Sequence, residues 1–140
     1  PATTFGEAVR DRSLYRSRIH LLDENGELKE FEKGIGLSKG HEIEINIEGL
    51  GFKTFESYVG LDQDDLENEE AHLKAFEIYV DGELKASTDA VFYNTPMQKL
   101  SVDVTGAKTV TLVGVSDEEP TNVYTFSNAP ATWADAKFIR

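Results

Sequence analysis

The stretch KGIGLSKGHEIEINI, residues 33–47, decides the fold. Its first half is broken by glycine at positions 34 and 36. Its second half alternates strictly, with Ile43, Ile45 and Ile47 on one side and Glu42, Glu44 and Asn46 on the other. Successive side chains of a strand point to opposite faces, so this period of two predicts a half-buried antiparallel strand with its isoleucines in the core. Gly34 and Gly36 are expected to let the backbone turn a corner or bulge between sheets just ahead of it.

The same pattern continues on both sides. Residues 18–22 and 27–31 flank Asp23-Glu24-Asn25-Gly26, and Asn-Gly between alternating runs marks a hairpin because both residues accept positive φ. Residues 52–59 form a further strand. Residues 75–80 and 83–87 flank Asp81-Gly82 as a second hairpin. Residues 100–104 alternate, Thr105-Gly106-Ala107-Lys108 turns the chain into 109–113, and 134–139 is the last strand, with Trp133 as an anchor directly before it. Residues 64–74 are expected to make one or two helical turns. Short strands at regular spacing predict an all-β sandwich of antiparallel strands, one domain over residues 1–140.

The charge balance is 14 Lys+Arg against 26 Asp+Glu, a net −12. A field of that sign repels phosphate backbones, which argues against nucleic acid, and it admits neutral ligands and cations. The absence of cysteine excludes disulfides, zinc–thiolate centres and thiol nucleophiles. No stretch approaches the roughly 20 apolar residues of a membrane span. The chain opens at Pro1 without Met and is expected to be a processed or excised piece.

Catalytic signatures are sparse. His20, His41 and His72 lack metal-ligand spacing and are assigned surface or capping roles. There is no G-x-S-x-G elbow, and the glycines at 34 and 36 are not followed by a helix that would make them a phosphate loop. Asp62-Gln63-Asp64-Asp65 resembles part of an oxygen-rich cation site but lacks the glycine and distal glutamate of a calcium-binding helix–loop–helix, so a solvated loop is favoured. Phe31, Phe52, Phe55, Tyr58, Phe76 and Phe138 fall in strands and are assigned to packing. Phe5, Tyr93, Tyr124 and Phe126 fall in loops or at strand ends. There they plug the sandwich ends or, as the alternative, stack on the apolar face of a sugar.

The chain resembles the NPCBM domain, the family 51 carbohydrate-binding modules, in six pieces in the right order. They are residues 5–13 (FGEAVRDRS), 31–36 (FEKGIG), 55–62 (FESYVGLD), 76–82 (FEIYVDG), 102–108 (VDVTGAK) and 133–138 (WADAKF). The resemblance implies a galactose-binding-domain-like jelly-roll β-sandwich. It also implies a non-catalytic module recognising terminal galactose-type sugars on glycans, carried with neighbouring domains by a larger bacterial secreted or cell-surface polypeptide. Related sandwiches carry a structural Ca²⁺. Two loops depart from the family pattern: Leu37-Ser38 stands where it has Thr-His, and residues 128–132 (NAPAT) stand where it has Asp-His-Ala-Asp. The family's usual first strand, ahead of Phe5, is expected to be missing.

The candidate ligand-binding residues are therefore Phe5, Arg10, Arg12, Ser38, Tyr124 and Asn128, and the candidate cation ligands are Asp62 and Asp135. The rival expectation is a structural or protein-interaction sandwich that has lost its sugar site.

Overall fold

The computed structural model describes residues 18–37, 40–64, 66, 69–116 and 129–140 with their side chains, and residues 2–3, 8–10 and 38 by their backbone. The strands are numbered along the chain. One five-stranded sheet runs in the order β1 (Ala2–Thr3), β6 (Glu42–Asn46), β13 (Thr109–Val115), β9 (Ala75–Val80), β10 (Glu83–Ser87). The second runs β12 (Gln98–Asp103), β7 (Thr54–Leu61), β14 (Pro130–Ile139), β5 (Gly34–Ser38), β2 (Ala8–Arg10). Two ribbons complete the described fold, β3 (Ile19–Leu22) with β4 (Leu28–Phe31), and β8 (His72–Leu73) with β11 (Val91–Phe92). Every pairing is antiparallel.

The core lies between the two large sheets. Ile43 and Ile47 are buried and Ile45 packs against the core half-buried, as the alternation requires. Phe76 and Ile78 of β9 and Leu112 of β13 meet Phe55 and Val59 of β7 and Trp133 of β14. Full burial of one such side chain contributes about 1.5–3 kcal/mol. The approach is close at Gly114, where an added Cβ would stand 2.9 Å from that of Ala131 in the facing sheet. The β3–β4 hairpin forms a third layer, laying Ile19, Leu21 and Phe31 on Ala134, Tyr58 and Met97 at the outer surface of the second sheet.

Three features differ from expectation. Gly34 and Gly36 are not a corner: they lie inside β5, paired with Ala134 and Thr132 of β14. Gly34 is required by close approach, since a Cβ there would collide with the Trp133 carbonyl oxygen and stand 2.9 Å from Ile19 Cδ1. The crossing between sheets comes later, where Gly40 (φ 82°) donates its N–H to the Gly114 carbonyl at 2.8 Å. Residues 72–73 form the strand β8, residue 74 is a bend leading into β9, and no helix occurs among the described residues. The final strand begins at Pro130, so Trp133 is inside it. Ahead of Phe5, Ala2 and Thr3 pair with Glu44 and Ile43, giving β6 a short partner on its outer edge.

Candidate functional site

Strand direction gathers the connections at two ends. At one, the turn end, Ile47 N–H bonds the Lys108 carbonyl, Val104 N–H that of Lys53, and Lys53 N–H that of Ile139, each at 2.8 Å. At the other, the loop end, Asp62 N–H reaches the Pro130 carbonyl (3.0 Å) and Lys74 N–H that of Val115 (2.9 Å). Among the described residues the loop end thus collects 40–41, 62–64, 69–71 and 88–97.

Among the described residues, two clefts open at the turn end. One of about 520 Å³ lies between Asp81, Glu83, Lys85 and Asp103, and one of about 360 Å³ between Phe52, Gly106 and Lys108. Their acids are committed to the fold. Asp81 Oδ1 accepts the N–H groups of Lys108 (2.8 Å) and Thr109 (2.9 Å), and Asp103 Oδ1 accepts from Thr105 N (2.9 Å) and Oγ1 (2.7 Å). These bonds, that of Thr109 N–H foremost for Asp81 and Thr105 N–H for Asp103, hold both carboxyls below the ordinary carboxylate range. Glu83 is paired with Lys85 at 3.1 Å.

The loop end is organised by Asp62 and His20. Asp62 is fully buried, and a buried carboxylate needs partners. Its Oδ2 accepts the His20 N–H (3.1 Å) and its Oδ1 the Asp64 N–H (2.9 Å). The His20 ring reaches Asp64 Oδ2 through Nδ1 (2.7 Å) and Glu30 Oε1 through Nε2 (3.2 Å). Burial pulls the imidazole pKa down, but the Asp64 hydrogen bond, the Asp64 charge, the Arg18 carbonyl and Glu30 outweigh it, so the pKa is raised. The β3–β4 hairpin is thereby tied to the end of β7.

Beside this cluster stands the β8–β11 ribbon. Val91 opposes Leu73 and both are buried; Phe92 opposes His72 and both face outward. Their rings stack at 6.3 Å with 28° between planes, and Phe92 is 51% exposed. The ribbon is held to the 62–71 loop by Gln63, whose Nε2 donates to the Tyr93 carbonyl at 2.9 Å.

Of the predicted ligand-binding residues, Phe5, Arg12, Tyr124 and Asn128 lie outside the described residues. Arg10 is opposite Ile35 in β2 and Ser38 opposite Pro130 at the loop end of β5, both described by backbone alone. Asp62 and Asp135 do not fit one cation site. Tyr58 pairs with Ala134 while Asp62 N–H bonds Pro130, which separates the two acids by four residues along β7, about 13 Å at the usual strand rise. Asp135 is instead the bulge residue of β14, with φ 51° and its carboxylate 3.5 Å from Lys137 Nζ. No three His, Asp or Glu converge on a metal position among the described residues. The Phe92–His72 pair was missed because only register aligns the two.

The structure is thus a β-sandwich whose Asp81, Asp103 and Asp62 bond its own backbone and whose loop end presents an aromatic ring. The chain belongs to the NPCBM/NEW2 domain family, whose model matches residues 2–139. It is a non-catalytic carbohydrate-binding module with a galactose-binding-like β-sandwich fold. It is 36% identical to the CBM51-2 module of Clostridium perfringens ZmpB, solved with GlcNAc and INT domains, with a TM-score of 0.85 over 98% of this chain and 29% of that one. It is 29% identical to the CBM51 of Clostridium perfringens GH95, solved with methyl-galactose, with a TM-score of 0.82 over 98% of this chain and 90% of that one. The Blood-group-substance endo-1,4-beta-galactosidase of Clostridium perfringens is 31% identical over 132 aligned residues, 87% of this chain. The chain spans 16% of that relative's length. No helix among the described residues is long and apolar enough to cross a membrane.

Proposed function

We propose that this module recognises terminal galactose-type sugars on glycans at its loop end, as one part of a larger bacterial secreted or cell-surface protein whose neighbouring domains carry the catalysis. The observation that carries this is the likeness, along 98% of the chain, to a module solved with methyl-galactose. The net charge of −12 supports a neutral ligand over an anionic one. A glycan array followed by calorimetry with methyl-galactose and GlcNAc tests it. Galactoside binding supports the assignment, preference for GlcNAc moves the specificity, and no binding by folded protein favours the rival.

That rival, a spacer or docking sandwich without a sugar site, has one observation in its favour. Leu37, standing where the family pattern has Thr, is fully buried and offers no group to a hydroxyl. Calcium remains a proposal without an assigned donor pair: a fall in melting temperature on chelation supports it, and coincident melting curves with and without chelator remove it.

A further inference from the structure

Phe92 is the one aromatic among the large exposed hydrophobics of the described residues. The others, Leu28, Leu50, Leu84 and Ile139, are aliphatic and offer no flat face. Leu50 and Ile139 also belong to the turn end, where Lys53 N–H bonds the Ile139 carbonyl and Leu50 N–H that of Ile47.

The Phe92 ring is presented, not left over. Because Val91 and Leu73 turn inward as an opposed pair, Phe92 and His72 must turn outward together. The backbone beneath is fixed by two bonds, Phe92 N–H to Thr95 Oγ1 at 2.8 Å and Thr95 N–H to the Phe92 carbonyl at 3.1 Å. The His72 ring is oriented by Nδ1 against the Glu70 carbonyl at 2.8 Å. One face or edge of the phenyl ring is thus backed by imidazole, and half of its surface stays open to water. Asn94, exposed two residues further on, adds an amide that both donates and accepts.

A rigid aromatic face with an exposed amide two residues along the same turn matches one side of a pyranose, where axial C–H groups form an apolar patch bordered by hydroxyls. We propose that Phe92 is a stacking platform for an uncharged pyranose, with Asn94 bonding its hydroxyls and His72 setting the ring's pose. This rests on the sugar-binding assignment and names a subsite within it. Asp64, Glu69 and Glu70 on the neighbouring loop, with the overall charge, disfavour a sialylated or sulfated sugar at this position.

The test uses the whole module with methyl-galactose, GlcNAc, and sialylated and sulfated galactosides. Wild type is expected to bind a neutral sugar, and Phe92→Ala to bind it about tenfold more weakly, the scale of one aromatic contact. Phe92→Trp is expected to restore binding, and the melting temperature to stay unchanged. Saturation-transfer NMR and amide shifts on wild type give a second readout: perturbation at 72 and 92–95 on sugar addition supports the platform whether or not the alanine variant folds. Native affinity in folded Phe92→Ala, or titration shifts that bypass 92–95, overturns this subsite while leaving the sugar-binding assignment standing. Failure of wild type to bind any sugar overturns both, and tighter binding of the sialylated or sulfated sugars overturns the neutral-ligand part.

Discussion

Phe76 and Trp133 meet edge to face across the sandwich, their ring centroids 5.3 Å apart and their planes at 86°. Phe76 belongs to β9 of one sheet and Trp133 to β14 of the other, and both are fully buried. The hydrogen-rich edge of one ring against the electron-rich face of the other adds about 0.5–1.5 kcal/mol to the burial itself. The pair therefore pins the two layers together at the centre of the fold.

Truncating this contact is expected to cost a large share of the domain's stability. Trp133→Ala should lose about 3–5 kcal/mol in a urea titration, with Phe76→Ala similar. Trp133 is the only tryptophan. Its emission should be blue-shifted and poorly quenched by acrylamide in the folded state, and should not change on sugar addition, because the ring lies between the sheets. Quenching by sugar would place the ligand in the wrong part of the molecule.

The glycine at 34 offers a sharper structural check. Gly34→Ala places a methyl group against the Trp133 carbonyl and Ile19 Cδ1, so β5 must move off β14 or the β3–β4 hairpin must lift. The expected loss is about 1–3 kcal/mol or more. Gly26→Ala meets no atom within 4 Å and pays only for its positive φ of 76°. A Gly34→Ala variant as stable as wild type would contradict the packing of the third layer.

These cases mark what the sequence could tell. The isoleucine strand and both hairpins were legible because period and turn chemistry act within a few residues. Asp81 and Gly82 do adopt the left-handed conformation that the Asp-Gly pair suggested, at φ 51° and 82°. Gly34 was read as a turn because its true neighbour, Trp133, is distant in sequence. Asp62 was read as part of a solvated acidic loop, with a cation ligand as the alternative, because nothing local shows that its carboxylate is buried and bonded by the His20 N–H. The bulge at Asp135, with its positive φ, was not legible either, because it is set by the register of β14 against β7. Fold rested on local rules, and the site on contacts that folding creates.

Asp81 does two tasks at once, and the variants separate them. Asp81→Asn keeps an acceptor for the Lys108 and Thr109 N–H groups and tolerates positive φ; Asp81→Ala does neither well. The asparagine variant should therefore melt closer to wild type near neutral pH. Because the folded-state pKa is lowered, the carboxylate's contribution is present above the ordinary value near 3.8 and is lost as pH falls through the folded value. Acid melting curves of wild type and Asp81→Asn should converge below that point.

His20 carries the opposite dependence. Its raised pKa means the protonated ring is the form that the fold favours, donating to Asp64 while held against Glu30. The associated stability is fully present below the ordinary value near 6.5 and is lost as pH rises through the higher folded value. His41 works the other way: burial lowers its pKa, so protonating it as pH falls costs stability. The two must be separated by difference. Melting temperatures of wild type minus His20→Gln should be largest near pH 6 and shrink as pH rises above about 6.5, with Arg18 and Glu30 left in place. A difference that is flat across this range would mean that the imidazole stays neutral and donates to Asp64 through Nδ1–H alone, and that the tie between the β3–β4 hairpin and the loop end gains nothing from ring charge.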